Sequence, residues 1–456
     1  MKTQIRAIAL GCAVLGVLAL VSFSEAGDAT AGAADLTEDF YVKLPEQVLP
    51  LPRPLPAGQA EPGFRIRGTK GWAWTADQYL EEIPVLAAHK MNFMMNCYLS
   101  MFSKFPERVN EWWLPLSDSV KKRYAEVFRS SREHGIQFCF AIHPQLFSPR
   151  PIDLASKSDF ESLWRHFAWA QSQGVRWFCV PLDDVHIESM AGKIRIDGAE
   201  HARFINRLFE RLRRKDKGAQ MIFCPTWYWG NGDDPEHRPY LEALAENLHP
   251  QVYLFWTGPE VVPARIKAGD AEIFKSIVKH RVILWDNFPV NDGHPTMHLG
   301  PVSGRAADLN RFVDGYMGNP LSPQNQINRI PLLTCADYAY NPWEYDPGRS
   351  IGQAILHLAE NDAQRTVLKQ LVEAYPGTLV LRADKGYPTG YNHVREQFKR
   401  LISVPHSRYL GEMLIAHLRD LSARLAAAFP STFADARKTV DDDVAWMTNE
   451  LQLKYE

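Results

Sequence analysis

Apolar and polar positions follow two periods along the chain, and from residue 64 onward the two periods alternate. Short apolar runs predict buried strands. The stretches between them carry apolar residues at helical spacing, as in 119–134, which ends at Gly135, and 158–173, which ends at Gly174. The predicted strands are Phe64–Arg67, Met91–Tyr98, Ile136–Ile142, Val175–Leu182, Met221–Pro225, Gln251–Phe255, Val282–Trp285 and Ile330–Leu333.

This alternation predicts the α/β class and, within it, a (β/α)8 barrel of the TIM type. A doubly wound open sheet is the alternative, although no Gly-rich phosphate loop follows the first predicted strand. Beyond about Asp346 the strand signal fades, and helical spacing predicts five helices. We therefore predict a barrel over residues 61–345 and an α-helical C-terminal domain over 346–456. The five predicted helices are Ser350–Glu360, Ala363–Glu373, His393–Leu401, Ser407–Ala428 and Thr432–Gln452.

The first 26 residues are typical of a secretory signal peptide. A short basic segment precedes an apolar run from Ala7 to about Phe23, and small residues, Ser24 and Ala26, stand where a signal peptidase would require them. A retained membrane anchor is the alternative, and Cys12 has no clean lipobox around it. We expect a secreted or periplasmic protein with no stable membrane span after cleavage. Residues 27–60, rich in Ala and Pro, predict a linker or an extended arm.

Composition restricts the possible partners. The formal net charge of the 456-residue chain is −2, so nothing draws it toward nucleic acid. After signal cleavage five cysteines remain, without CxxC spacing, and each lies in or beside an apolar run. We interpret them as buried free thiols, with a disulfide possible but not indicated.

Two adjacent carboxylates, Asp183 and Asp184, follow the fourth predicted strand. Reacting groups of a parallel barrel collect at the carboxyl ends of its strands. Neighbouring carboxylates oppose each other's ionisation, so one can stay protonated as a general acid while the other is charged. The alternative is a pair that caps the next helix.

The other predicted strand ends carry aromatic rings, carboxylates and carboxamides, a composition suited to binding a carbohydrate. No metal or other cofactor is predicted, because the segment of His294 and His298 contains Gly293 and Pro295 and does not favour one helical face, and His186 is more simply a solvated or hydrogen-bonded residue. No Ser or Cys has nucleophile-elbow spacing. The predicted rim residues are Thr226, Trp227, Tyr228, Trp229, Asn231, Trp256, Thr257, Trp285, Asp286, Asn287, Asn291, Asp292, Thr334, Asp337 and Tyr338.

Several blocks of residues, in this order and spacing, resemble glycoside hydrolase family 84, the β-N-acetylglucosaminidases and O-GlcNAcases. The resemblance covers roughly residues 64–350 and implies a (β/α)8 barrel that acts on a carbohydrate. It also implies substrate-assisted catalysis, in which the sugar's acetamido oxygen attacks the anomeric carbon and forms an oxazoline. The blocks are Phe255–Val262, Leu284–Asp292, Leu299–Pro301, Gly318–Pro320 and Thr334–Tyr338.

The resemblance also implies residue roles. Asp183 would orient and polarise the acetamido N–H, and Asp184 would act as the acid and then the base. The implied substrate-binding residues are Gly71, Tyr228, Trp285, Asn287, Asp292 and Asn319.

The N-terminal part departs from the family pattern. Residues 67–74 are two residues shorter than the family motif, and the family's sugar-binding lysine after the second strand falls on Leu99, with Lys104 as a possible substitute. Two alternatives therefore stay open beside a plain N-acetylglucosaminidase. One is a glycosidase with an altered 2-acetamido-sugar specificity, and the other is a catalytically weak carbohydrate-binding protein.

Overall fold

The computed structural model describes residues 51–98, 101–102, 110–185, 196–379, 389–404 and 407–456. All of them belong to one compact unit. The predicted signal peptide, most of the 27–60 segment, and the residues Leu99, Lys104 and His186 lie outside these ranges.

A closed barrel of parallel strands forms the centre of the molecule, in the order β1 to β8. Closure is made by β1 and β8, where Ile66 lies opposite Gly315. The predicted (β/α)8 barrel is therefore confirmed. The strands are β1 Ile66–Thr69, β2 Phe93–Met95, β3 Gln137–Ala141, β4 Trp177–Pro181, β5 Gln220–Cys224, β6 Tyr253–Trp256, β7 Arg281–Pro289 and β8 Gly315–Asn319.

Helices follow most strands, and further helices complete the chain. Between β7 and β8 the described chain forms a short 3-10 turn, Leu309–Arg311, in place of an α-helix. The helices are α1 Ala76–Ala88, α2 Asp118–Glu133, α3 Lys157–Ser172, α4 Gly198–Lys215, α5 His237–Asn247, α6 Ala268–Val278, α7 Arg329–Tyr340, α8 Pro347–Leu358, α9 Asp362–Ala374, α10 His393–Ser403, α11 Arg408–Ala428 and α12 Ala434–Tyr455.

The eighth predicted strand is wrong. Residues 330–333 lie in α7, and the strand that closes the barrel is Gly315–Asn319. All residues from 330 to 339 are buried, so α7 shows no polar face to reveal its helical period. As a result Asp337, predicted at a strand end, lies in a helix, where it accepts a hydrogen bond from the Arg53 backbone N–H at 2.9 Å.

The core has distinct layers because side chains of a strand point alternately to its two faces. In β5, Ile222 and Cys224 belong to the cluster inside the barrel, whereas Met221 and Phe223 pack with the surrounding helices. Strands covered on both faces read as continuous apolar runs, which is why sequence pattern located them. The five cysteines after the predicted cleavage site are free and buried, as predicted.

A third apolar cluster joins helices α8 to α12 with residues of the β7–β8 connection, including Met297 and Leu299. The backbone N–H of Leu299 donates to the Tyr375 carbonyl at 2.9 Å. The Thr296 hydroxyl donates to the Tyr391 carbonyl at 3.1 Å. The C-terminal helices thus contact the segment that leaves β7. Within the described residues, no helix is both long and apolar enough to span a bilayer.

Candidate active site at the carboxyl ends of the strands

Asp183 and Asp184 lie two and three residues beyond β4, at the carboxyl end of the barrel. Asp183 is buried, with 4% of its surface exposed, and Asp184 is half-buried. Asp184 has a φ of 58°, in the left-handed region that non-glycine residues seldom occupy. Such a conformation persists only where its surroundings enforce it, and it is common at active sites.

Each carboxylate has its own tyrosine. The Tyr98 hydroxyl donates to Asp183 Oδ2 at 3.0 Å, and the Tyr228 hydroxyl donates to Asp184 Oδ1 at 2.8 Å. Burial, and then the neighbouring carboxylates, raise the pKa of Tyr228 well above its ordinary value, so this hydroxyl remains a donor. The two aspartates are therefore held in different hydrogen-bonding environments.

His143 fixes the backbone beneath the pair. Its Nδ1 accepts the backbone N–H groups of Gln145 and Leu146 at 3.2 and 3.1 Å, so the other nitrogen, Nε2, carries the proton in the neutral ring. Nε2 donates to the Asp183 carbonyl at 2.9 Å. Burial lowers the pKa of His143 to about 4, which keeps the ring neutral near neutral pH.

Opposing effects act on the ionisation of Asp183. Burial raises the pKa of its carboxyl, because a charged carboxylate loses its hydration in the barrel. The positive charge of Lys70 and the hydrogen bond from Tyr98 lower it. Asp183 is therefore more easily protonated than an ordinary aspartate, even beside a cation.

Lys70, like Tyr98 and His143, is a residue of the site that the sequence did not predict. It directly follows β1 and is only 2% exposed. Its Nζ lies 4.1 Å from the ring centre of Trp72, 4.2 Å from that of Trp285 and 4.9 Å from that of Tyr98. Its position shortly after the first predicted strand was the available signal, but lysines at strand ends are usually solvated.

The predicted binding residues on β7 and β8 lie close together. Trp285 is buried and its ring contacts that of Tyr98, with 6.2 Å between centres. Asn319 Nδ2 donates to Asn287 Oδ1 at 2.8 Å, and Asn287 Nδ2 donates to the Val261 carbonyl at 2.7 Å. The two amides therefore form one connected wall.

Asp292 and Gly71 occupy backbone conformations that few residues adopt. Asp292 is exposed, with a φ of 49° in the loop after β7. Gly71 has a φ of 67°, and a Cβ there would lie 2.6 Å from atoms of Trp74 and Tyr79. The Tyr79 hydroxyl lies 2.5 Å from the Lys70 carbonyl and accepts the Cys97 N–H at 2.8 Å, so it ties the ends of β1 and β2 together.

Other predicted rim residues are structural. Trp256 is fully buried and stacks on Phe274, with 5.4 Å between the ring centres. Asp286 is fully buried and paired with Arg305. Tyr338 lies in α7 and donates to the Ala306 carbonyl at 2.7 Å. These residues support the barrel instead of facing a ligand.

Three buried polar atoms of the site have no hydrogen-bond partner: Asp183 Oδ1, Trp285 Nε1 and Asn319 Oδ1. His143 Nε2 lies 3.5 Å from Asp183 Oδ1, but its hydrogen bond goes to the Asp183 carbonyl. An unpaired buried polar atom costs about 1–3 kcal/mol, so natural proteins seldom keep several together without use. Two acceptors and one donor suit a ligand that carries both N–H and O–H groups.

The described part of the chain contains no group of three or more His, Cys, Asp or Glu residues placed to hold a metal ion.

Comparison with known proteins agrees with this geometry. A family model described as β-N-acetylglucosaminidase matches residues 65–373. The rat protein O-GlcNAcase (Rattus norvegicus) is 27% identical over 279 residues, which cover 60% of this chain and 29% of the rat protein. The chain thus spans under a third of the length of the curated relatives it matches.

Solved structures share the fold. A mutant O-GlcNAc hydrolase of Thermobaculum terrenum superposes with a TM-score of 0.64 at 21% identity, covering 86% of this chain and 83% of that one. CpGH84B superposes with a TM-score of 0.63 at 23% identity, covering 85% and 67%. Because the family model matches more than half of the sequence, the chain belongs to the β-N-acetylglucosaminidase family of glycoside hydrolases, family 84.

Proposed function

We propose that this protein hydrolyses β-linked N-acetylglucosaminides with retention of configuration, through an oxazoline intermediate. The observation that carries the proposal is the adjacent pair Asp183 and Asp184, each held by its own tyrosine, with Asp183 Oδ1 lacking a partner. Asp183 Oδ1 is an acceptor for the acetamido N–H of a bound sugar. Tyr98 and Lys70 supply the donor and the positive charge that favour its ionised form.

In the first step the acetamido oxygen bonds to the anomeric carbon while the bond to the leaving oxygen breaks. The Asp184 carboxyl gives its proton to that oxygen, and Asp183 stabilises the charge that develops on the acetamido nitrogen. In the second step water attacks the anomeric carbon, Asp184 accepts the water's proton, and the acetamide reforms. General acid catalysis of this kind contributes about 10²–10⁴-fold to the rate.

The remaining predicted residues form the walls of the proposed sugar site. Trp285 provides a flat ring with an unpaired Nε1–H, and Asn319 provides an unpaired Oδ1. Asn287 positions the Asn319 amide. Asp292 and Gly71 bound the site from the loops that follow β7 and β1.

The relatives favour protein-linked N-acetylglucosamine as the substrate, because both the rat and the Thermobaculum protein are named for removing O-GlcNAc. The residue pattern supports two further proposals. Residues 1–26 would direct export, and helices α8 to α12 would form a domain that covers one side of the barrel.

Hydrolysis of an aryl β-N-acetylglucosaminide by the Asp184→Asn variant tests the proposal. We expect kcat/KM to fall by about 10²–10⁴-fold, because the amide cannot deliver the proton. The Asp314→Asn variant serves as a control, since this aspartate pairs with Arg281 at the amino end of β7. An Asp184→Asn variant as active as this control would rule out the assigned role.

The oxazoline step has a separate test. Replacing the substrate's acetyl hydrogens by fluorine withdraws electrons from the carbonyl oxygen and weakens it as a nucleophile. We expect kcat to fall with each added fluorine. A rate independent of fluorination would show that the acetamido oxygen is not the attacking group.

A further inference from the structure

The side chain of Lys70 is almost completely buried, yet no described residue accepts a hydrogen bond from its ammonium group. Its side chain is 2% exposed, and Nζ makes no hydrogen bond and no ion pair within 4.0 Å to any described residue. What surrounds it are the ring faces of Trp72, Tyr98 and Trp285. Aromatic faces attract a cation but do not accept its three N–H bonds in the way that oxygen atoms do.

Buried ammonium groups are normally paired, because an unpaired donor inside a protein forfeits the hydrogen bonds it had in water. Here the nearby opposite charges are the site carboxylates Asp183, Asp184 and Asp292, which act on Lys70 through space. A residue with only a structural task would direct its donors at one of these carboxylates. Lys70 instead holds its ammonium group beside Trp285 and Tyr98, among the residues of the proposed sugar site.

We propose that Lys70 is a substrate-binding residue whose ammonium donates to a ring hydroxyl of the sugar held against Trp285. This inference rests on the proposed function and adds the group that recognises the sugar's hydroxyls. It also bears on the absence of a lysine at position 99, where the resemblance to the family leads one to expect a sugar-binding lysine. A chain with Leu99 in place of a lysine after the second strand carries a lysine after the first strand instead.

The charge balance identifies the class of sugar. Three acidic side chains, Asp183, Asp184 and Asp292, act through space on the single ammonium group of Lys70. A site with this excess of negative charge repels a carboxylate or sulfate on the sugar. The ligand of Lys70 is therefore a neutral 2-acetamido sugar, recognised through a hydroxyl, and not a uronic acid or a sulfated sugar.

The Lys70→Met variant tests the proposal, since methionine keeps much of the length and removes the donors. We expect its kcat/KM on an aryl β-N-acetylglucosaminide to fall about 10- to 150-fold, the effect of losing a hydrogen bond from a charged group. Lys70→Arg, which retains donors, should keep more of the activity. Lys217→Met, at an exposed lysine, is the matched control and should behave as the parent.

Deoxy substrates show whether Lys70 touches the sugar. The parent and Lys70→Met are compared on analogues that lack the 3-, 4- or 6-hydroxyl. We expect one analogue to be poor for the parent but to cost the variant little further activity, because the partner of that hydroxyl is already absent. If every deoxy effect is the same in both proteins, Lys70 acts only on the charge of the aspartates and the proposal is overturned.

Binding separates this proposal from the proposed function. The same comparison is made by calorimetry with N-acetylglucosamine and its deoxy forms, after thermal unfolding has shown that each variant is folded. A parent that binds the sugar but does not hydrolyse the aryl substrate would refute the hydrolase activity. The Lys70 contact would then be judged from the affinities of the parent and of Lys70→Met for N-acetylglucosamine and its deoxy forms. A Lys70→Met variant that binds as tightly as the parent would refute the contact.

Discussion

Asp183 and Asp286 are both buried carboxylates near the carboxyl ends of barrel strands, yet their surroundings differ. Both oxygens of Asp286 are bonded, by Arg305 at 2.6 and 2.8 Å and by the Tyr316 hydroxyl at 2.7 Å. Asp183 has Tyr98 on one oxygen and no partner on the other. Position on the rim therefore does not by itself mark a candidate reacting group, and the unpartnered oxygen of Asp183 is what distinguishes it from Asp286.

The comparison is tested most strongly by Asp286→Asn. This change leaves the buried guanidinium of Arg305, which is 5% exposed, without its counter-ion. We expect the free energy of unfolding to fall by about 3–5 kcal/mol, measured by denaturant titration.

Asp314→Asn is the matched control, because the Arg281–Asp314 pair is partly exposed, with side-chain exposures of 38% and 22%. An exposed pair contributes about 0–1 kcal/mol. Equal losses in the two variants would mean that burial and complete bonding do not set Asp286 apart.

Asp183→Asn should have the opposite pattern of effects: we expect it to lower the activity and to leave the free energy of unfolding nearly unchanged. We expect kcat/KM to fall by about 10²–10³-fold, since the developing charge loses its stabilising carboxylate. The measurement is aryl-glycoside hydrolysis beside denaturant titration of the same samples.

The pH dependence of stability checks the assignment. Because burial raises the pKa of Asp183 in the folded protein, the native state binds more protons than the unfolded state just above an ordinary aspartate pKa of about 3.9. The parent's stability relative to Asp183→Asn should therefore fall as pH rises through this range. A relative gain with rising pH would contradict the raised pKa.

The smallest expected effect concerns the two tyrosines. Tyr98→Phe removes a donor that lowers the pKa of Asp183, so we expect about a tenfold loss in kcat/KM and an acidic limb of the pH–rate profile displaced to higher pH. Tyr316→Phe removes the corresponding donor to Asp286 and should affect unfolding while leaving the acidic limb in place. A shift of the limb in both variants would remove the distinction between the two carboxylates.

Sequence pattern predicted most of the fold because buried parallel strands are continuous apolar runs. It failed at the end of the barrel, where Gly315–Asn319 contains two glycines and no β-branched residue, and where fully buried α7 imitates a strand. Both errors arise because tertiary burial, and not local propensity, decides these segments.

For the candidate site, Asp183, Asp184 and Tyr228 could be predicted from adjacency and from the family resemblance. Lys70 could not, because only the closed barrel brings its ammonium group to the ring of Trp285 on β7, and so buries a lysine that looks ordinary in the sequence. Asp286 could not be excluded either, since its partner Arg305 lies 19 residues further along the chain.

The hydrogen bonds from Thr296 and Leu299 to the segment after α9 have a consequence for how this protein can be recombined. The family match itself continues to residue 373, past the last helix of the barrel. We therefore expect that a fragment ending after α7 would not keep the native structure of the barrel when joined to another chain. The β7–β8 connection of such a fragment would lack its hydrogen bonds to the residues after α9, and the loop that carries Asp292 would lose these contacts.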